Sequence, residues 1–177
     1  MKATGIVRRI DDLGRVVIPK EIRRTMRIRE GDPLEIYTSA SGEVIFKKYS
    51  PIGELSVFAA QYAEALSDST KLSVLICDSE HVIAAAGISK REALDKLVSD
   101  ELSKIMENRK ACTFEGAKAV LGFVGLDQKI CVAVPIVAAG DVAGAVVLLQ
   151  NDQAAKAEET DIKLATVAAN FLARQIE

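Results

Sequence analysis

The sequence lacks any apolar run of the length that crosses a membrane, which is about 18 residues. Its most apolar stretch, residues 130–149, is interrupted by Pro135, Gly140 and Gly144 and is more typical of two strands joined by a turn. The charged residues at the start are not followed by the apolar segment of a secretory signal. We therefore expect a cytoplasmic protein with no membrane partner.

Residues that perform enzyme chemistry are scarce and scattered. The single histidine, His81, stands beside a turn between two predicted strands, where a surface or structural role is expected. The three cysteines are widely spaced, at Cys77, Cys112 and Cys131. Their odd number and long spacing fit neither a disulfide framework nor a metal site, and they are typical of reduced cytosolic thiols. With no Walker-type phosphate loop either, we expect no catalytic residues, no metal and no cofactor.

Charge is distributed unevenly, although the net charge of the chain is only −2. Residues 1–50 carry a net charge of +4, whereas residues 51–177 carry −6. The cations of the front segment are mostly arginines, namely Arg8, Arg9, Arg15, Arg23, Arg24, Arg27 and Arg29. A guanidinium stays charged and donates two parallel hydrogen bonds to a phosphate or to the major-groove edge of guanine.

Charge alone leaves two interpretations of these arginines open. They form a cationic surface for DNA, whose binding releases counterions from the phosphates, or they form a solvated face with internal salt bridges. The available carboxylates are Asp11, Asp12, Glu21 and Glu30. The neighbouring pair Asp11 and Asp12 precedes a glycine and is expected to form a turn or to pair with arginines, rather than to exchange protons with a substrate.

The front segment has the pattern of short strands and one short helix. Strands are predicted over Thr4–Ile10 and Arg15–Ile18, on either side of a turn at residues 11–14. Pro19 is expected to open a helix, since the first helical turn lacks amide partners anyway. A hairpin is predicted from Leu34–Thr38 and Glu43–Lys47. About fifty residues without a metal or disulfide are too few for a comfortable core, so we expect two copies to intertwine as a dimer.

The remainder reads as helix, two strands, helix, three strands and helix, which is an α+β arrangement with an antiparallel sheet. Strands are predicted over residues 72–78, 81–86, 117–125, 130–137 and 142–149. Helices are predicted over 52–66, 89–106 and 158–175, the second opened by a capping box from Ser89 to Glu92. The apolar stripe of the first helix, at Leu55, Phe58, Tyr62 and Leu66, suits packing on its own domain and pairing across an oligomer equally well.

The front segment also resembles a known family. The run IDDLGRVVIPKEIRR at residues 10–24 closely resembles the AbrB family of bacterial transition-state regulators, and the likeness extends through residues 29–36 and 42–48. The linker at 47–52 and the tail at 169–175 resemble members in which this domain precedes a GAF-like domain. The resemblance implies a swapped-hairpin β-barrel dimer at residues 1–50, a linker and oligomerisation helix at 51–70, and a GAF-like sensor or assembly domain at 71–177.

The resemblance also implies function. It predicts a nucleoid-associated regulator that binds double-stranded DNA and both activates and represses sporulation genes. The residues that match the family's DNA contacts are Arg8, Arg15, Arg23 and Arg24, and Arg9 and Lys20 are plausible additions. Since neighbouring residues of a strand face opposite ways, Arg8 is favoured over Arg9 for direct contact. Arg27 and Arg29 lie past the short helix and are weaker candidates.

Assembly and ligand binding are implied in the same way. Members with the GAF-like domain form tetramers through helices that flank it, for which the helix at 52–66 has a suitable stripe. GAF domains often bind a small molecule, so a sensor is favoured over a domain that serves only assembly, although the sequence names no ligand. Two alternatives stay open: an antitoxin-like partner protein, against which the folded tail counts, and an enzyme built on the second domain, against which the missing catalytic residues count.

Overall fold

The chain divides between Tyr49 and Ser50 into two units with separate internal contacts. The computed structural model describes residues 5–151 and 156–176, and each unit is described by itself. The first unit contains helix α1 (Lys20–Thr25) and an antiparallel hairpin of strands β1 (Leu34–Thr38) and β2 (Val44–Lys48). The predicted hairpin is confirmed, with its second strand displaced by one residue.

The prediction of strands over Thr4–Ile10 and Arg15–Ile18 is wrong for the single chain, apart from Thr4, which lies outside the described residues. No strand is assigned between residues 5 and 18. A strand exists only when its amides and carbonyls pair with a neighbour, and within the described residues the hairpin forms a sheet of two strands only. The turn between these segments does form, with Gly14 N–H donating to the Asp11 carbonyl at 3.0 Å.

The first unit has almost no interior of its own. Among its described residues only Pro19 is buried. The paired residues Ile36 and Phe46 lie directly opposite each other on one face of the hairpin, and 62% and 42% of their surfaces are exposed. Val7 and Val17 are exposed to 86% and 70%. So many large apolar side chains are normally covered, either by a core or by an interface.

The second unit is built on a five-stranded sheet in which every neighbouring pair is antiparallel. In chain order its strands are β3 (Ser73–Cys77), β4 (Val82–Ala86), β5 (Cys112–Thr113), β6 (Ile130–Ala138) and β7 (Asp141–Leu149). Their order across the sheet is β4-β3-β7-β6-β5. The helices are α2 (Pro51–Glu54), α3 (Ser56–Thr70), α4 (Lys90–Ala93), α5 (Asp100–Glu107) and α6 (Glu159–Gln175).

Alternation along the strands divides the core between the two faces of the sheet. On one face Val74, Ile76, Val146 and Leu148 pack against α3 and α6, whose alanines allow close approach. On the other face Leu75, Val147 and Leu149 pack against α5 and the loops that flank it. The nearly continuous apolar sequence of β6 and β7 therefore reflects cover on both sides, as predicted. Ala139 and Gly140, both with positive φ, connect the two strands in the manner of a two-residue hairpin.

Two predicted elements of this unit are wrong. The single helix over residues 89–106 is instead two short helices, because the chain turns at Asp95 into left-handed backbone and Val98 forms an isolated β-bridge with Phe123. The strand over 117–125 is a 3₁₀ turn at Gly116–Lys118 followed by isolated bridges. Strand β5, which precedes this 3₁₀ turn in the chain, was not predicted.

The helix starts predicted at Ser89 and near Glu158 are both confirmed, but the capping interaction predicted at Ser89 is wrong. The Ser89 side chain makes no capping hydrogen bond, so the predicted capping box is absent. Instead Ser99 caps α5 by accepting from Leu102 N–H. The last helix begins with a true capping box between Glu158 and Asp161. Within the described ranges no helix is both long and apolar enough to span a membrane.

Candidate nucleic-acid interface

All six candidate DNA-contacting residues lie in the first unit. Arg8 and Arg9 lie in the segment before the turn, and Arg15 directly follows that turn. Lys20, Arg23 and Arg24 lie on α1, where residues three and four apart share a face, so Lys20 neighbours both arginines. Five of the six are exposed, and Arg23 is half-buried.

Arg15 is held by an ion pair with Asp11. Its Nε donates to Asp11 Oδ2 at 2.9 Å, while 69% of the Arg15 side chain stays exposed. The same carboxylate accepts from the Arg15 amide at 2.8 Å and the Leu13 amide at 3.0 Å. These hydrogen bonds from the Arg15 amide and then from its side chain lower the pKa of Asp11, because they stabilise the charged form. Asp11 is thus both the turn former and the salt-bridge partner that the sequence suggested.

Internal salt bridges do not account for the other candidate cations. In the described part of the chain, Arg15 alone among the six is ion-paired with a carboxylate. Arg8, Arg9, Lys20 and Arg24 therefore present exposed charges. Four exposed cations close together in sequence are available to neutralise phosphates, which would release counterions.

Arg23 differs from its neighbour Arg24 in a way that the sequence did not indicate. Its Nε is buried without a hydrogen-bond partner among the described residues. A buried N–H of a charged group that lacks an acceptor is costly, so this nitrogen is expected to gain an acceptor once the unit is assembled or bound. The sequence of a six-residue helix does not show which of two adjacent arginines is buried. Only the packing shows that Arg23 is the more buried of the two.

An open cavity of about 590 Å³ lies in the second unit at the turn between β3 and β4. Its lining includes His81, Asp78 and Asp95. The Asp78 carboxylate accepts from the Glu80 and His81 amides, both at 2.7 Å, so it forms the turn. His81 therefore lies beside a turn, as predicted. Within the described residues, no group of three or more His, Cys, Asp or Glu is arranged to hold a metal ion.

Two cysteines of the second unit, Cys77 and Cys131, have buried thiols. Burial raises the pKa of the Cys77 thiol to about 12, aided by the nearby charge of Asp78. Burial likewise raises the pKa of Cys131 to about 11. A thiol that stays protonated at neutral pH is a poor nucleophile. Cys112 is half-buried, and none of the three is in a disulfide.

Comparison with known proteins gives the relatives of each unit. Residues 54–177 match a family described as Stage V sporulation protein T C-terminal, transcription factor. Residues 7–53 match a family described as antidote-toxin recognition MazE, bacterial antitoxin. Stage V sporulation protein T of Bacillus subtilis (strain 168) is 55% identical over 179 residues, which cover 100% of this chain and 99% of that protein.

Two further similarities concern single units. The transition state regulatory protein AbrB of Bacillus subtilis (strain 168) is 61% identical over 51 residues, or 29% of this chain and 52% of that protein. The crystal structure of a GAF domain from an Acinetobacter phosphoenolpyruvate-protein phosphotransferase is 16% identical, with a TM-score of 0.51 over 73% of this chain and 84% of that chain. The latter similarity shows the fold alone.

Together, the fold and the cationic segment define a two-unit α+β protein with an AbrB-like amino-terminal unit and a GAF-like carboxy-terminal unit. This is the class that the sequence predicted. The chain belongs to the Stage V sporulation protein T family of transcription factors.

Proposed function

We propose that the protein is a DNA-binding transcription regulator of sporulation genes, which both activates and represses them in the cytoplasm. The observation that carries the proposal is the set of exposed cations in a unit that lacks its own core. The identity of 55% to a sporulation protein over the whole chain supports the biological setting. The similarity of the first unit to AbrB supports DNA as the partner.

Pairing of two chains through the first unit is the second part of the proposal. Exposed apolar residues such as Ile36 and Phe46 would form a shared core, and residues 5–18 would gain strand partners. Each pair would then carry two copies of every cation. Duplicated arginines on one surface suit a duplex, whose symmetry relates its two strands.

Further assembly to a tetramer is proposed through the outer faces of α3 and α6. Their side chains Phe58 and Val167 are exposed to 52% and 57%, although both helices also pack on the sheet. Both interpretations of the α3 stripe therefore have support. The open cavity at the β3–β4 turn is the proposed place for a small-molecule signal, where the polar side chains of Asp78, His81 and Asp95 would orient a ligand.

An antitoxin role is the second candidate, and the match of residues 7–53 to a MazE antitoxin family favours it. Residues 50–177, however, fold as a compact unit with two buried faces. That region is therefore unlike a flexible tail that wraps a toxin. A toxin gene beside this one in the genome would favour the antitoxin. Enzyme activity is not proposed, since the buried thiols are poor nucleophiles.

The DNA-binding proposal is tested with Arg15→Ala and Arg24→Ala. Each variant should bind duplex DNA at least about tenfold more weakly. The slope of the logarithm of affinity against the logarithm of salt concentration should fall in magnitude by about one for every phosphate that is no longer neutralised. Lys163→Ala is a matched control, because it removes a cation that pairs with Glu159 on α6 at 2.7 Å. Gel shifts at several salt concentrations measure affinity, and sedimentation checks that assembly is unchanged. Wild-type affinity in both arginine variants would defeat the proposal.

A further inference from the structure

The orientation of the Arg15 side chain is restrained before DNA binds, because Asp11 accepts two hydrogen bonds from this residue. The carboxylate accepts from the Arg15 amide and from its Nε, at 2.8 Å and 2.9 Å. Asp11 also closes the turn through the Leu13 amide and through the carbonyl that accepts from Gly14. The position of the guanidinium is therefore tied to the backbone of a hydrogen-bonded turn and not only to its own flexible stem.

The contact with Asp11 leaves most of the guanidinium available. An arginine side chain has five N–H donors, and Nε is the one that Asp11 engages. With 69% of the Arg15 side chain exposed, the terminal nitrogens can still donate two parallel hydrogen bonds to a phosphate or to guanine. Such paired bonds require a fixed orientation, and ordering a long side chain before binding removes part of the entropic cost.

We propose that Asp11 is a positioning residue that sets the orientation of Arg15 and thereby the preference of this protein among DNA sequences. The proposal rests on the DNA-binding function proposed above and deepens it. A carboxylate beside DNA repels phosphates, so the charge of Asp11 weakens binding to every duplex, whereas the orientation that it gives Arg15 favours only those duplexes that match it. Asp11 improves discrimination between DNA sequences and weakens binding to non-specific DNA. These two effects can be measured separately.

The variant Asp11→Asn isolates this role. The asparagine side-chain oxygen still accepts from the Leu13 and Arg15 amides, so the turn is kept. The charge-assisted bond to Arg15 Nε is removed, because asparagine places an NH2 group, which donates and cannot accept, at the position of Asp11 Oδ2. Asp12→Asn is the matched control: it removes the same charge one residue away, from an exposed side chain with no hydrogen bond or ion pair to the described residues.

The probes are two duplexes of equal length and composition. One carries the site that the wild-type full-length protein itself selects from a randomised pool, and the other is its scrambled sequence. Fluorescence anisotropy gives the dissociation constant of each protein for both. Removing either carboxylate should tighten binding to the scrambled duplex by a similar factor. Only Asp11→Asn should lower the ratio of the two affinities, by about fivefold to tenfold, which is the lower end of the discrimination that one paired arginine contact provides.

Two further measurements separate positioning from a general structural effect. Arg15→Lys keeps the charge but has no Nε, and it should lower the affinity ratio as Asp11→Asn does. In nuclear magnetic resonance spectra the Arg15 Nε–H signal should be shifted and protected in the wild type and in Asp12→Asn, and should lose both features in Asp11→Asn.

Each remaining outcome has a definite meaning. If the wild type prefers its selected duplex and Asp11→Asn keeps the same affinity ratio as Asp12→Asn, the positioning role is wrong and the DNA-binding function stands. If the wild type binds neither duplex, the proposed function fails and the positioning role fails with it.

Discussion

The ring of Tyr62 on α3 stacks on the ring of Phe171 on α6, with centroids 5.2 Å apart and planes inclined by 30°. The first long helix and the last helix of the second unit are thereby joined side by side on one face of the sheet. Phe58 lies one helical turn before Tyr62, and Val167 one turn before Phe171. The stack therefore borders an exposed apolar surface shared by both helices, which we call the α3–α6 surface and define by Val57, Phe58, Val167 and Phe171.

Phe58→Asp should dissociate a tetramer into dimers without unfolding the second unit. A charge placed in the centre of an apolar interface must be desolvated on association, whereas Phe58 is 52% exposed in the single chain and contributes little to its core. Gln61→Asp adds the same charge at an exposed polar position of α3 and should leave assembly unchanged. Light scattering after size exclusion measures the mass. A tetrameric Phe58→Asp protein would exclude the α3–α6 surface from assembly.

Phe46→Asp should disrupt pairing through the first unit. Phe46 lies opposite Ile36 on the apolar face of the hairpin, and burying a carboxylate there would oppose the shared core. On the other face Lys47 lies over the Tyr37 ring at 4.8 Å, and Lys47→Ala should cost only about 0.5–1 kcal/mol. Sedimentation of the fragment 1–52 shows the difference: a dimer for the wild type and Lys47→Ala, and an unfolded monomer for Phe46→Asp. A folded monomeric wild-type fragment would refute the shared core.

Gly144→Ala should destabilise the second unit severely. A Cβ at this position would lie 2.0 Å from the Cys77 carbonyl oxygen, which belongs to the adjacent central strand. Strand backbone cannot yield without breaking the ladder, so the cost should be about 3 kcal/mol or more. Gly140→Ala meets nothing within 4 Å and should cost about 1–2 kcal/mol for its left-handed backbone. Urea unfolding followed by circular dichroism compares the two, and equal stabilities would contradict the packing argument.

Alkaline pH should weaken the second unit through its buried thiols. The pKa of Cys77 is raised to about 12 and that of Cys131 to about 11, from a value of 9.0 for a free thiol. The unfolded chain therefore loses these protons at lower pH than the folded chain. The stabilising contribution is complete below the free-thiol pKa and disappears as the pH rises toward the folded values.

The double variant Cys77→Ala, Cys131→Ala tests this contribution. Its free energy of unfolding at about pH 8 should be lower than that of the wild type, because two small cavities open. Its decline between about pH 8 and about pH 10.5 should nevertheless be shallower than that of the wild type. Urea titrations at these two pH values provide the comparison, and parallel declines would show that the thiols titrate alike in both states.

The sequence predicted best those elements whose stabilising contacts are local or repeat along the strand. Strands β6 and β7 follow from an apolar run divided by a turn, and α6 follows from its apolar period and acidic start. The break between α4 and α5 was not predictable, because residues 94–98 have helical spacing. It arises from the bridge between Val98 and Phe123, a contact of residues 25 positions apart.

The candidate site likewise combines features that the sequence predicts with features that depend on tertiary contacts. The six cations were chosen from the resemblance to the AbrB family and stay a prediction, although all but Arg23 are exposed. The turn at Asp11 was recognisable from residue types and order. The burial of Arg23 Nε depends on tertiary packing. The strands expected over residues 4–10 and 15–18 depend on hydrogen-bond partners that a single chain does not supply among the described residues.

The contrast between a second unit with two packed cores and a first unit with scarcely any has a consequence in the cell. Under the proposed pairing, a newly made chain completes its GAF-like unit alone but acquires a DNA-reading face only on meeting another chain. Occupancy of DNA would then rise more steeply than in proportion to the amount of protein made. Contact through the α3–α6 surface would bring other leading segments into proximity and raise their effective concentration. The amount of protein synthesised would thereby set a threshold for gene control, even before any small molecule binds.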